Sequence, residues 1–451
     1  MSGLRAAVRA ASRRALVLLA LAIAAGIATG CERPVARAEL GARLAALERP
    51  HLVLIVVDTL RADWTTPYGD ARGTSPELAR WASRGVVFEQ VRAQSSWTKM
   101  SMASVFTGLW PSRHGLSEAR DALGEDAVTV TELLRDAGYD TYAVQCNGWL
   151  DQSFGFHQGF ERYLFPRGAG ARGVEQTQIW PHADRVVEEA GRLIDDHDPS
   201  RPLFLYLHFM DVHEYAAPPE FKTFGGDNEG AYLAAIRWED DALTRVREKL
   251  DDAGLLDDAV IVFASDHGEA FGENGKVGHA RNVLTATLQT PILLRLPFAV
   301  EPVRVPAHVR NIDLAPTLLE LAGIPAPAHL DGVSLLPLAT GAEEPRDRIS
   351  FAALGAPLYP DASVQASVTD GRWTYARNLP PGPSNEEFLF DRSIDPAENV
   401  NLVELEPAVA ERMRGLLQAK LEEGPVSGVR DQDVRIDPSI AERLRAMGYL
   451  Q

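Results

Sequence analysis

Three long apolar runs lie far apart in the chain, and each ends in side chains that can bind a metal or carry a proton. HLVLIVVDTLRAD (51–63) leads to Asp58. PLFLYLHFMDVHEYAAPP (202–219) leads to His208, Asp211 and His213, and DAVIVFASDHGEAFGENGKVGHA (258–280) leads to Asp266 and His267. Apolar runs without polar alternation are those of strands covered on both faces, as in parallel sheets. A further strand-like run, AVQCNGWL (143–150), carries Asn147. Between the strands, VTVTELLRDAGY (128–139) and EGAYLAAIRWEDDALTRVREKLDDAGL (229–255) have helical spacing and close on glycine. Strands alternating with helices predict an α/β fold, a doubly wound and mostly parallel sheet flanked by helices, over residues 51–344. From residue 345 the pattern shortens to ISFAAL, SVQASVTD, GRWTYARN and EEFLFD, followed by helices around PAVAERMRGLLQAKLEE and SIAERLRAMG. This predicts a small C-terminal α+β subdomain, 345–451, with an antiparallel sheet.

The chemistry gathers where strands end, because ligand groups of open parallel sheets collect at carboxyl ends. SSWTKMSMASVFTGLWPSRHG (95–115) adds a hydroxyl, Thr98, ahead of small and apolar residues that read as a helix from Ser101 onward. A helix N-terminus is a docking place for an oxyanion; a threonine there also reads as an ordinary helix cap. Asp58, Thr98, Asp266 and His267 form a mixed oxygen and nitrogen set suited to a divalent metal, and the imidazole favours zinc or manganese over calcium. Such a metal lowers the pKa of the Thr98 hydroxyl and holds it as a nucleophile. His279, with Asp211 and His213, either completes a second metal site or binds the oxyanion and protonates the leaving group; His208 is another candidate there. Asn147 is placed to donate to an equatorial ester oxygen. The loops 165–177 and 225–229 are expected to shape the pocket.

Charge and composition narrow the partners. Of 451 residues, 45% are hydrophobic, and 63 acidic side chains against 45 basic ones leave a net charge of −18. That balance argues against nucleic acid as a partner. Arg5, Arg9, Arg13 and Arg14 precede ALVLLALAIAAGIA, which stops at Thr29-Gly30-Cys31. The run is short for a membrane span and reads as a lipoprotein-type signal, residues 1–30, with Cys31 lipidated and 31–50 as a tether. Cys146 is then the one thiol left, so no internal disulfide forms. The expected location is the bacterial cell envelope, with the membrane reached only through the lipid.

In its motifs the chain resembles the sulfatase family of the alkaline phosphatase superfamily. The matching stretches include LVLIVVDTLRAD, TSPELARWASRGVVFE, WTKMSMASVFTGLWPSRHG, LLRDAGYDTYAV, FGFHQGFERY, SDHGEAFGENGKVGHA, RNIDLAPTLLELAGIPAP, LDGVSLLPL and LFDRSIDPAENVNL. The resemblance implies an alkaline phosphatase-like fold and a metal-dependent ester hydrolase, with Asp58, Asp266 and His267 as metal ligands and Thr98 at the nucleophile position. Thr98-Lys99-Met100-Ser101-Met102 stands where sulfatases carry the C/S-x-P-x-R formylglycine signature. Thr59 replaces the second aspartate of calcium-dependent members, and no K-x-H segment surrounds Asn147. A threonine nucleophile resembles the phosphodiesterase and phosphoryl-transferase branches, which use a histidine where His279 stands. The expected activity is therefore hydrolysis of phosphate (di)esters or sulfate esters through a covalent intermediate on Thr98. The competing expectation is a non-catalytic envelope lipoprotein that binds sulfated or phosphorylated glycans.

Overall fold

The computed structural model describes residues 33–166, 182–345, 348–355, 358–359, 362–380 and 386–446. The signal segment, Cys31 and most of the 165–177 loop lie outside the described residues. The main sheet has eight strands in the spatial order Val303–Arg310, Val86–Arg92, Ile292–Arg295, Ala259–Ala264, His51–Val57, Leu203–Phe209, Asp140–Gln145 and Arg162–Leu164. Only Ile292–Arg295 runs antiparallel to its neighbours, so the sheet is mostly parallel, as expected.

The apolar runs are buried on both faces because the sheet separates two cores. Leu52, Leu54 and Val56 enter one, and Val53, Ile55 and Val57 enter the other. This is the two-residue period of a strand with both faces covered. The helices Val130–Asp136 and Asn228–Asp252 form where their spacing predicts. Thr129 and Glu132 cap the first reciprocally, and Gly138 and Gly254 end the two in left-handed conformations at φ 86° and 71°.

Three expectations change. The helix of the Thr98 segment starts at Thr98 itself and runs to Thr107, with Trp97 as the capping residue, so Thr98 is inside the first turn and is not the cap. The stretch expected to be a tether is partly built into the fold. Val35 bridges to Val300, the helix Arg37–Ala45 buries Leu40 completely, and Arg37 donates to Ala339 O at 3.0 Å. At the other end, the four-stranded antiparallel sheet from Ser350 to Asp391 and the helix Pro407–Glu422 share a separate apolar cluster. The tail then returns: Arg430–Asp431 pairs with Ala122–Leu123, and Ile440 and Leu444 pack into the main core.

Candidate active site and metal centre

Neighbouring strands deliver the site at their carboxyl ends. Asp58 follows Val57 directly and donates its N–H to Phe209 O at 3.0 Å. Asp266 and His267 follow the strand Ala259–Ala264, and Asn147 follows Asp140–Gln145. His208 lies within its own strand, in register between Val56 and Gln145. The helix Thr98–Thr107 brings Thr98 across from the next layer, and Ser101 on it donates to Asp266 O at 2.6 Å. All six side chains, Asp58, Thr98, Asn147, His208, Asp266 and His267, are 0% exposed. The loop after the strand is bent sharply at Thr59, whose φ of 60° is an uncommon strain for a β-branched residue. That turn aims the Thr59 N–H at Asp266 Oδ1, 3.2 Å away.

One oxygen of each carboxylate is used by the protein and the other is kept for something else. Asp58 Oδ2 accepts from Asn147 Nδ2 at 2.7 Å, His208 Nε2 at 3.0 Å and Thr98 Oγ1 at 3.3 Å, while Asp58 Oδ1 accepts nothing. Asp266 Oδ1 accepts from Thr59 N and from His267 N, while Asp266 Oδ2 accepts nothing. His267 Nδ1 donates to Gly268 O at 3.0 Å, which assigns the tautomer and leaves Nε2 a lone pair. That nitrogen lies 3.4 Å from Asp266 Oδ2, 3.8 Å from Asp58 Oδ1 and 3.3 Å from Thr98 Oγ1. Two buried orphan oxygens and one imidazole lone pair, all within 4.8 Å of one another, fit a divalent cation.

The electrostatics agree with that fit. Burial alone would raise the Asp58 carboxyl, but the His208 hydrogen bond and, after it, the charge of His213 hold it far below the usual range. Burial and then the Asp58 charge push Asp266 well up. Two carboxylates facing each other in a dry pocket ionise together only when a cation lies between them. His267 is driven down to about 3, chiefly by burial and next by His279, so its ring is neutral as a ligand must be.

The other expected residues divide. His279 stacks on His267 with ring centres 4.8 Å apart, and His213 packs on His279 at the same separation, so both imidazoles stand beside the cluster. His213 is raised to about 9. Burial lowers it, but the Glu214 hydrogen bond and the charges of Asp58, Glu214 and Glu269 prevail. Asp211 does not join them. Its Oδ1 accepts from His182 N at 2.6 Å at the start of the helix Ala183–Asp195, and Val212 N binds the neighbouring Glu239. Burial raises Asp211 to about 8. The second metal site expected from Asp211, His213 and His279 is therefore not assembled: among the described residues one group has metal-ligand spacing, and it is Asp58, Asp266 and His267.

Three contributors were not legible in the sequence. Glu269 accepts from His279 Nδ1 at 3.2 Å, and it occurs three residues after Asp266 in a stretch rich in other acids. Tyr206 donates to His208 Nδ1 at 2.6 Å, which obliges His208 to offer its Nε2–H to Asp58. Lys99 follows Thr98 yet points away, its ammonium donating to the carbonyls of Glu118, Ala119 and Asp121 at 2.8–2.9 Å. The rings of Trp97, Trp149 and Phe154 surround it at 4.6–5.0 Å. Burial pulls the Lys99 pKa strongly down, but three acceptors for three N–H donors and three ring faces favour the charged form, which we take as the one present.

Comparison with known proteins places this geometry in context. Residues 50–324 match the family model described as Sulfatase, and residues 272–424 match the model of the C-terminal part of N-sulphoglucosamine sulphohydrolase. The choline-sulfatase of Rhizobium meliloti is 32% identical over 435 residues, covering 79% of this chain and 83% of that protein. Arylsulfatase A of Bos taurus is 26% identical over 460 residues, covering 85% and 89%. Among solved structures, the phosphonate monoester hydrolase of Agrobacterium radiobacter superposes with a TM-score of 0.69 at 19% identity, covering 83% of this chain and 96% of that one. At that identity the likeness speaks for the fold.

Proposed function

The chain belongs to the sulfatase family of ester hydrolases, and from that premise we propose that it cleaves phosphate esters, diesters above all, by attack of Thr98. Asp58, Asp266 and His267 would hold a divalent metal, zinc or manganese by their donor set. Bound there, the metal would supply Lewis-acid stabilisation to the ester and to the Thr98 oxygen. The observation that carries the reading is Thr98 Oγ1, fully buried and 3.3 Å from both Asp58 Oδ2 and His267 Nε2.

The chain's own groups divide the work. Asp58 Oδ2 is the acceptor toward which the Thr98 proton moves as the O–P bond forms. Asn147, which donates to Asp58 and lies 3.3 Å from Thr98 Oγ1, fixes both and offers an N–H to an ester oxygen. The charged His213 ring binds the oxyanion. His279, oriented by Glu269, gives a proton to the leaving oxygen as its bond to phosphorus breaks. Water then attacks the phosphothreonine and the Thr98 O–P bond breaks, with His279 taking the water's proton and Asp58 returning its proton to the Thr98 oxygen.

Phosphate is favoured over sulfate on one ground: Thr98 cannot become the aldehyde of a formylglycine enzyme, and Met100 and Met102 stand where that signature has proline and arginine. The names of the relatives favour sulfate esters, a second reading for the same site. Turnover of paired aryl phosphodiester, monoester and sulfate substrates, with metal content measured on the same preparation, separates them. Diester turnover with bound zinc or manganese supports the proposal, and sulfate turnover with calcium replaces it. The N-terminal run and Cys31 support attachment to a bacterial envelope membrane, and labelling with a radioactive fatty acid that disappears in Cys31→Ser tests that placement.

A further inference from the structure

The antiparallel strand Ile292–Arg295 has a consequence at the far end of the sheet. Because Arg295 pairs with Ile261 and Ile292 with Ala264, Arg295 lies at the amino ends of the parallel strands, opposite Asp58 and Asp266. There it lines an open cleft together with Arg80, Arg84, Arg247, Trp81 and Phe298, and no carboxylate is among the lining residues.

We propose that this four-arginine cleft binds a phosphate-class oxyanion at a site separate from Thr98. Elsewhere the buried guanidinium groups are matched: Arg310 and Arg348 to Asp313, and Arg92 to Glu398. In the cleft, Arg80 and Arg247 share the carboxylate of Glu77, at 3.4 and 3.0 Å, and Arg247 also meets the exposed Glu248 at 3.2 Å. Arg84 and Arg295 have no carboxylate at ion-pair distance among the described residues. Arg295 is nonetheless fixed, since its Nη1 donates to the carbonyls of Leu256 and Ala259 at 2.7 and 3.1 Å. Burial, and after it the charge of Arg84, push Arg295 down to about 10; the Asp257 carboxylate opposes this, and Arg247 and Arg80 add to it, so the positive charges prevail. Guanidinium forks match phosphate oxygens two at a time. The net charge of −18 means that whole-molecule attraction does not bring anions here, so selectivity comes from this short-range geometry.

The N-terminal segment joins the fold on the same rim. Val35 donates to Ala299 O at 2.8 Å, and the Arg43 guanidinium lies 4.8 Å from the centre of the Phe298 ring that lines the cleft. A chain held to a bilayer by its N-terminus would turn the cleft toward lipid phosphates. The oxyanion site stands without that anchor; only the choice of a headgroup over free phosphate rests on the lipidation of Cys31.

The test uses the full chain in detergent, with chelator present to silence the Thr98 site, titrated calorimetrically with inorganic phosphate. Phosphate binding that weakens at least tenfold in Arg84→Gln and Arg295→Gln, while aryl ester turnover in metal is unchanged, supports the site. Absence of binding, or binding equal in wild type and both variants, overturns it. Arg84 is exposed, so Arg84→Gln remains informative even where Arg295→Gln fails to fold. Flotation with phosphatidylcholine vesicles, with and without phosphatidylglycerol, then separates the sources. A preference for the anionic vesicles that Arg84→Gln abolishes assigns a headgroup, and phosphate binding with no such preference assigns a free oxyanion.

Discussion

Thr98 and Lys99 are consecutive in the chain and face opposite ways: Thr98 Oγ1 lies 3.3 Å from Asp58 Oδ2, while Lys99 Nζ is tied to three carbonyls between Glu118 and Asp121. The first turn of the helix Thr98–Thr107 is held from behind by that buried ammonium, which leaves the hydroxyl little freedom in front. Removing the tie separates positioning from chemistry. Lys99→Met orphans three carbonyls and is expected to lower stability by about 2–4 kcal/mol. It should also lower kcat more than it raises KM, with metal content unchanged. Equal kcat in a folded variant would refute the positioning role.

Thr98→Ala removes the proposed nucleophile and keeps Asp58, Asp266 and His267. Turnover should fall by at least about a thousandfold with metal stoichiometry intact. Elemental analysis alongside single-turnover kinetics checks both halves of that statement.

A divalent metal held as proposed by the orphan oxygens of Asp58 and Asp266 would stabilise the fold. At about a hundred times its dissociation constant a ligand adds about 2.7 kcal/mol. Chelation should therefore lower Tm by a few degrees, and zinc or manganese should restore it. In Asp266→Asn the metal-dependent shift should vanish, and calorimetry read with and without chelator decides this.

Tyr206→Phe tests the relay behind Asp58. Without the phenol, His208 Nδ1 loses its donor and the ring is no longer obliged to give its Nε2–H to Asp58. About a tenfold loss in kcat is expected from a second-layer partner of this kind. The pH–rate profile should shift as well, a change that loss of packing alone would not produce.

Acid stability should report on Asp313. Burial would raise this carboxyl, but Arg310 and Arg348 hold it below the usual aspartate value. A carboxyl depressed in the folded state contributes stability above its unfolded value, and loses it as pH falls through the folded one. Wild-type Tm should therefore drop steeply below about pH 4. Asp313→Asn should be less stable near neutrality by about 3–5 kcal/mol, because it leaves two buried guanidinium groups unpaired. Its Tm should also vary less between pH 6 and pH 3, as thermal melts across that range would show.

By itself the sequence determined which segments become buried strands and what chemistry their ends carry. Runs such as LVLIVV and AVIVFA are apolar at every position, so they must be covered on both faces, and Asp58, Asp266 and His267 then fall at carboxyl ends by chain order alone. The strand Ile292–Arg295 has four residues and carries no period to read, so its reversed direction, and with it the place of Arg295, belongs to the tertiary structure. The same holds for Asp211 and His213. They are two residues apart in the chain, yet the bend after Phe209 sends one to a helix end and the other to His279. Which of two nearby ligand-type residues reaches a site depends on backbone direction at a single turn, and that direction is set by what packs against the turn from distant parts of the chain. Lys99 makes the same point: its cage of carbonyls and rings comes from residues 97 to 154, and no local pattern announces it.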